Sequence, residues 1–194
     1  MKIILASGSP RRRQIMQLAG IPCEVIVSNV DETIKGEPEI QVRELALRKA
    51  RATFSMLSEE QRLENPIIIA ADTLVYINDE VLGKPEDATE AFEMLDDLQG
   101  KKHTVYTGVA LLQDNYEHTF TDAADVYFRA LSHDEIWAYI ATGEPFDKAG
   151  AYGVQERGAV LVDKIDGDFY TVVGLPISKV CRALAVMGYD IWEK

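Results

Sequence analysis

Two rhythms of apolar positions alternate along this chain: short unbroken runs, and stretches in which apolar residues return every three or four positions. The clearest run is Ile67-Ile68-Ile69-Ala70-Ala71, which follows Pro66. It is too short and too β-branched for a helix and reads as a strand buried on both faces. Residues 2–6 and 23–28 read as two earlier strands. Between them Ile15, Met16, Leu18 and Ala19 fall at helical spacing, with Ser9 placed as an N-cap, Pro10 at the first helical position and Gly20 as the stop. A longer helix is predicted from Pro38 to about Leu57, with Ile40, Leu47, Ala50, Phe54 and Leu57 on one face. Asn78-Asp79 reads as the turn of a hairpin. Asp87 and Glu90 then form a capping-box pattern before an apolar stripe of Ala88, Ala91, Phe92, Leu95 and Leu98, closed by Gly100.

The second half repeats the alternation. Residues 103–113 and 117–131 are strand-like around Asp114-Asn115. Ser132 and Glu135 open a short helix through Trp137, Tyr139 and Ile140 to Gly143. Residues 159–165 and 169–173 read as a strand pair across Asp166-Gly167-Asp168. Gly174-Leu175-Pro176 starts a last helix with Ile177, Val180, Cys181 and Leu184 facing inward. Strands and helices in this order, without repeats or an obvious linker, predict one α/β domain over residues 1–194.

Composition narrows the chemistry. The chain has 194 residues, 47% of them hydrophobic and 27% charged, which is ample for a core. A formal net charge of -12 repels nucleic-acid polymers and anionic membranes, so a polyanion can bind only where basic residues gather locally. Cys23 and Cys181 are too few for a disulfide framework or a zinc cluster, and His103, His118 and His133 lack ligand-like spacing. The opening apolar run is too short for a signal peptide or a membrane span, which predicts a cytoplasmic protein.

Polar residues interrupt the apolar runs at informative places. Asp72 follows the isoleucine strand, where burying an ionised carboxylate needs a compensating cation or metal. Lys84, just past the hairpin, is one candidate partner. Ser7-Gly8-Ser9-Pro10-Arg11-Arg12-Arg13 joins a strand to a helix, bringing unpaired N–H groups, hydroxyls and guanidinium groups to one spot suited to phosphate. It is neither a P-loop nor a dinucleotide fingerprint. Lys49 lies beside the apolar face of the long helix, either snorkelling or reaching an anion. Gly- and Ala-rich residues 145–155 suit a loop close to a ligand. Together Ser7, Arg11, Arg12, Glu32, Lys49, Asp72, Lys84, Lys148 and Gln155 suit metal-assisted phosphate chemistry. The residues alone stop at a hydrolase or binder of a small phosphorylated molecule.

Leu5-Ala6-Ser7-Gly8-Ser9-Pro10-Arg11-Arg12, Ala71-Asp72-Thr73, Gly83-Lys84-Pro85, Lys148-Ala149-Gly150-Ala151-Tyr152-Gly153 and Val173-Gly174-Leu175-Pro176 resemble, in order and spacing, the motifs of the Maf family. The resemblance implies an inosine-triphosphatase-like fold, an elongated mixed sheet with flanking helices and two lobes around a central cleft. It implies a homodimer that hydrolyses nucleoside triphosphates to the monophosphate and pyrophosphate with Mg²⁺ or Mn²⁺. On this resemblance Asp72 is the general base, and Glu32, with Asp72, holds the metal. Lys49 and Lys84 contact the triphosphate, and Ser7, Arg12 and Lys148 complete the substrate site.

Arg11, Thr73 and Gln155 match the branch of the family that resembles dTTP/UTP pyrophosphatases. A Gln amide can pair with both a donor and an acceptor on a uracil or thymine edge, whereas a Glu would accept from guanine N–H groups. The alternatives are 7-methyl-GTP specificity and a nucleotide-binding regulator of septum formation with little turnover.

Overall fold

A computed structural model describes residues 1–114 and 116–192. Seven strands form a mixed sheet flanked by helices: β1 (Ile3–Leu5), β2 (Glu24–Val25), β3 (Ile67–Ile77), β4 (Glu80–Leu82), β5 (Lys102–Gln113), β6 (Tyr116–Phe128) and β7 (Val162–Asp166). Their order is β2-β1-β3-β5-β6-β7, with β4 paired to β3. The helices are α1 (Pro10–Leu18), α2 (Pro38–Met56), α3 (Glu59–Leu63), α4 (Ala88–Leu98), α5 (His133–Ile140), α6 (Phe169–Val173) and α7 (Ile177–Val186). Among the described residues no helix is long and apolar enough to cross a membrane. The chain divides into two compact units.

The first unit comprises Met1–Asp72, Thr107–Asp122 and Gly174–Lys194. Strand β1 pairs in parallel with β2 and with β3, Ile3, Ile4 and Leu5 lying opposite Ile67, Ile68 and Ile69. All six of these side chains are buried, as their unbroken apolar runs require. Helix α2 closes one face, packing Ala46, Ala50 and Leu57 against Ile4, Ala6, Ile68, Ala70, Ala110 and Leu112. Its buried stripe is Val42, Leu45, Ala46, Ala50 and Thr53; of the face expected from the sequence, Ala50 and Leu57 are buried, Leu47 and Phe54 pack partly buried against the core, and Ile40 is exposed. Ala46 and Ala50 are small enough to let the helix backbone approach the sheet. At Gly108 on β5 the approach is tight enough that an added Cβ would lie 2.3 Å from the Val42 carbonyl carbon. In α7, Ala183 joins Val180 and Leu184 inside, while Cys181 is only half-buried.

The second unit comprises Thr73–Tyr106 and Ala123–Val173. The expected hairpin is present, with Val75, Tyr76 and Ile77 opposite Leu82, Val81 and Glu80. Asn78 and Asp79 turn it with φ of 51° and 63°, the left-handed pair that a tight two-residue loop needs. Helices α4 and α5 pack together through Phe92 and Trp137, stacked at 4.8 Å. Residues 156–161 form a 3-10 helix, so the strand expected over 159–165 begins only at Val162. Its expected partner, residues 169–173, is instead helix α6. Here Asp168 caps the turn: Tyr170 N–H donates to its carboxylate at 2.9 Å and Thr171 N–H to its carbonyl at 3.0 Å. The β-forming side chains of Phe169–Val173 are overruled by that cap and by burial of Thr171 and Val173. Asn115, half of the expected Asp114-Asn115 turn, lies outside the described residues.

This unit buries an uncharged imidazole. His103 is 2% exposed, shares a 2.7 Å hydrogen bond with the Tyr152 hydroxyl and meets the Phe128 ring edge-on. Burial lowers its pKa to about 4, opposed weakly by Asp125. Between pH 6.5 and 4 the unfolded chain therefore binds a proton that the folded chain refuses. Stability is complete above pH 6.5 and declines as pH falls towards 4, by roughly 3 kcal/mol over the window. We expect urea midpoints measured from pH 7 to pH 5 to fall less steeply in His103→Gln than in the parent. Parallel slopes would place the acid sensitivity elsewhere.

Candidate active site

Strand β1 ends at Leu5, and the chain turns through Ser7-Gly8-Ser9 into α1, with Pro10 at the first helical position. Ser9 occupies the N-cap, but its side chain makes no capping bond; its N–H donates to Ser7 Oγ at 3.3 Å instead. Ser7 is buried, and its hydroxyl also accepts from the Arg12 guanidinium at 3.1 Å. Arg12 Nε donates to the Gly174 carbonyl at 2.8 Å, tying the start of α1 to the turn before α7. Burial lowers the Arg12 pKa from its ordinary value; Asp72 and Glu32 act in the opposite direction, Arg11 in the same one. The group keeps its charge.

A second cluster adjoins these charges. Asp72 sits on β3 immediately after the fully buried Ala71, its side chain 17% exposed. Lys49 projects from the inward side of α2, one turn beyond Ala46, and its ammonium donates to Asp72 Oδ1 at 2.7 Å. The same ammonium lies 2.8 Å from Glu32 Oε1. The sequence pointed to Lys84 as one candidate cation for Asp72; the structure supplies Lys49. Its backbone is held as well, since Ser28 Oγ donates to the Lys49 carbonyl at 3.2 Å and accepts from Thr53 Oγ1 at 3.2 Å. Glu32 is more open, with 65% of its side chain exposed, on an irregular segment. Arg48 steadies that segment by donating to the Asp31 carbonyl, and Thr33 N–H donates to the Asp31 carboxylate at 2.9 Å.

The first unit thus brings together Ser7, Arg12, Glu32, Lys49 and Asp72, with Arg11 half-buried on the adjoining turn of α1. Thr73, Lys84, Lys148 and Gln155 belong to the second unit. Lys84 is exposed just after β4, and Thr73 is half-buried on β3. Lys148 is nearly buried, and its ammonium is bonded within its own loop, to the Glu144 carbonyl at 2.6 Å and Asp147 Oδ1 at 2.7 Å. Glu144 in turn accepts from Gly158 N–H at 3.2 Å, so this lysine fastens the loop that presents half-buried Gln155. Sequence reasoning missed Ser28, Thr53, Arg48 and the Gly174 carbonyl. Only Gly174 carried any signal, as part of the Val173–Pro176 motif.

Two carboxylates sharing one cation, beside a serine hydroxyl and a guanidinium, can position a water and offset charge on a phosphate. Among the described residues no group of three or more His, Cys, Asp or Glu side chains could cage a metal. The Glu32–Asp72 pair does fit a hard cation that completes its shell with water and substrate oxygens.

The family model described as "Maf-like protein" matches residues 2–187. A Bacillus cereus protein named dTTP/UTP pyrophosphatase is 48% identical over 98% of this chain and 97% of its own length. One of the same name from Bacillus cytotoxicus is 50% identical over 94% of each chain. Among solved structures, that of the Staphylococcus aureus Ham1 protein is similar at a TM-score of 0.46 and 16% identity, covering 66% of this chain and 72% of that one.

Proposed function

The chain belongs to the Maf family, and from that premise we propose that it is a nucleoside triphosphate pyrophosphatase acting on dTTP and UTP. The observation that carries this reading is the convergence of Glu32 and Asp72 on one ammonium beside Ser7 and Arg12. It occurs in a chain about half identical to proteins named for that activity.

In the proposed reaction Asp72 takes a proton from the attacking water while the bond between the α- and β-phosphates breaks and pyrophosphate leaves. The strand fixes the backbone of Asp72 in place. Arg12, Lys49 and Lys84 offset charge on the phosphoryl oxygens, and Ser7 positions Arg12. Glu32 and Asp72 would hold Mg²⁺ or Mn²⁺. Such an ion, when bound, supplies further neutralisation of the phosphates. Arg11, Thr73 and Gln155 would select the base, with Lys148 supporting the Gln155 loop. The reading extends to a cytoplasmic homodimer.

The test is pyrophosphate release with Mg²⁺ across the common nucleoside triphosphates and 7-methyl-GTP. Release from dTTP and UTP is the expected result. Release from 7-methyl-GTP alone would overturn the specificity but keep the reaction, and binding without release would favour a regulator. Gln155→Glu is expected to lower kcat/KM for dTTP and UTP by roughly 10- to 100-fold with little change in the thermal midpoint. Unchanged substrate ratios would remove Gln155 from base selection.

A further inference from the structure

We propose that Lys49 is the resident counter-ion of the Glu32–Asp72 pair, and that a divalent cation binds there only by displacing it, releasing the ammonium to the substrate's phosphates. This exchange rests on the pyrophosphatase reading above and deepens it. The ammonium is 2.8 Å from Glu32 Oε1 and 2.7 Å from Asp72 Oδ1. A hard divalent cation held by both carboxylates would bind an oxygen of each at about 2.1 Å. It would then lie within a few ångströms of the ammonium, in a partly desolvated setting where like charges repel strongly. Holding both cations on the pair at once is therefore costly, and departure of the lysine relieves the cost.

What can move is settled by packing. The backbone of Lys49 is fixed by the buried stripe of α2 and by the Ser28 hydroxyl on its carbonyl. Asp72 is fixed in β3. The four-carbon stem of Lys49 and the exposed side chain of Glu32 can change rotamer. Charge sets the direction of the change. Two carboxylates with Lys49 and the neighbouring Arg12 guanidinium are neutral. A divalent ion added to them leaves surplus positive charge, which a triphosphate would attract. Cation and nucleotide are thereby coupled through one side chain: each gives Lys49 a reason to leave or a place to go. Such coupling is reciprocal, so the cation should bind poorly without nucleotide and better with it.

The test is Mn²⁺ binding to the nucleotide-free protein, followed by electron paramagnetic resonance of free Mn²⁺. Lys49→Met keeps the stem and removes the charge, and is expected to bind Mn²⁺ at least about tenfold more tightly than the parent. Lys49→Arg keeps the charge and is expected to stay weak. Adding Asp72→Asn to Lys49→Met is expected to abolish the gain. Circular dichroism melts establish that each variant is folded. Equal or weaker Mn²⁺ binding by folded Lys49→Met would overturn the exchange, as would a gain that survives Asp72→Asn. Pyrophosphate release by the parent is read separately. Tight Mn²⁺ binding by Lys49→Met with no release by the parent would keep the exchange and discard the pyrophosphatase reading.

Discussion

Asp72→Asn is expected to lower pyrophosphate release by about three orders of magnitude while the protein stays folded. The substitution keeps size and shape, so β3 and the packing of Ala71 have no steric reason to change. It removes the one property the proposed mechanism needs, a carboxylate that accepts a proton. The ammonium of Lys49 loses one charged partner but keeps Glu32 and can still donate to the Asn oxygen, which limits the cost in stability to about 1–2 kcal/mol. Steady-state pyrophosphate release and a thermal melt decide the matter together. A folded variant that turns over like the parent would remove Asp72 from the chemistry.

Gly108→Ala is expected to be the most damaging single methyl group in the first unit. The new Cβ would lie 2.3 Å from the Val42 carbonyl carbon, 2.4 Å from its oxygen and 2.5 Å from Arg43 N. These are backbone atoms of α2, so no rotamer change relieves the overlap; the whole helix must retreat from β5. Its buried stripe would then lose contact with the sheet, and we expect destabilisation of about 3 kcal/mol or more, read as a lower urea midpoint. Lys49 rides two turns further along the same helix, so the surviving folded protein should also lose activity. A midpoint within experimental error of the parent would show that α2 can shift without loss.

Local signals carried most of the architecture into view. Three adjacent isoleucines, the Pro10 helix start, the Asn78-Asp79 turn and the Ser132–Glu135 capping box each act over a few residues, and each appears where expected. Helix α3 was legible but unread: Ser58 and Gln61 form a reciprocal capping box. Phe169–Val173 was misread because its propensities favour a strand, and the burial that reverses them depends on distant residues. On α2 periodicity places Leu47, Ala50, Phe54 and Leu57 at the core, but it passes over the buried Val42, Leu45 and Ala46 and includes Ile40, which is exposed.

The site follows the same division. Asp72 is conspicuous in sequence because a carboxylate after an apolar strand needs an explanation, yet nothing local names Lys49 as its partner 23 positions away. Lys148 stands in a motif rich in Gly and Ala, but its bonds to Glu144 and Asp147 within that loop show only in three dimensions.

The bond from Arg12 to the Gly174 carbonyl spans 162 positions of the chain. A polypeptide emerging from the ribosome makes Arg12 long before the carbonyl that holds it. The same order applies to the first unit as a whole, which recruits Thr107–Asp122 and then Gly174 onward around its opening 72 residues. A nascent chain that has not yet reached Gly174 therefore carries the basic turn without its anchor, and the guanidinium reaches its place only once that residue has been made.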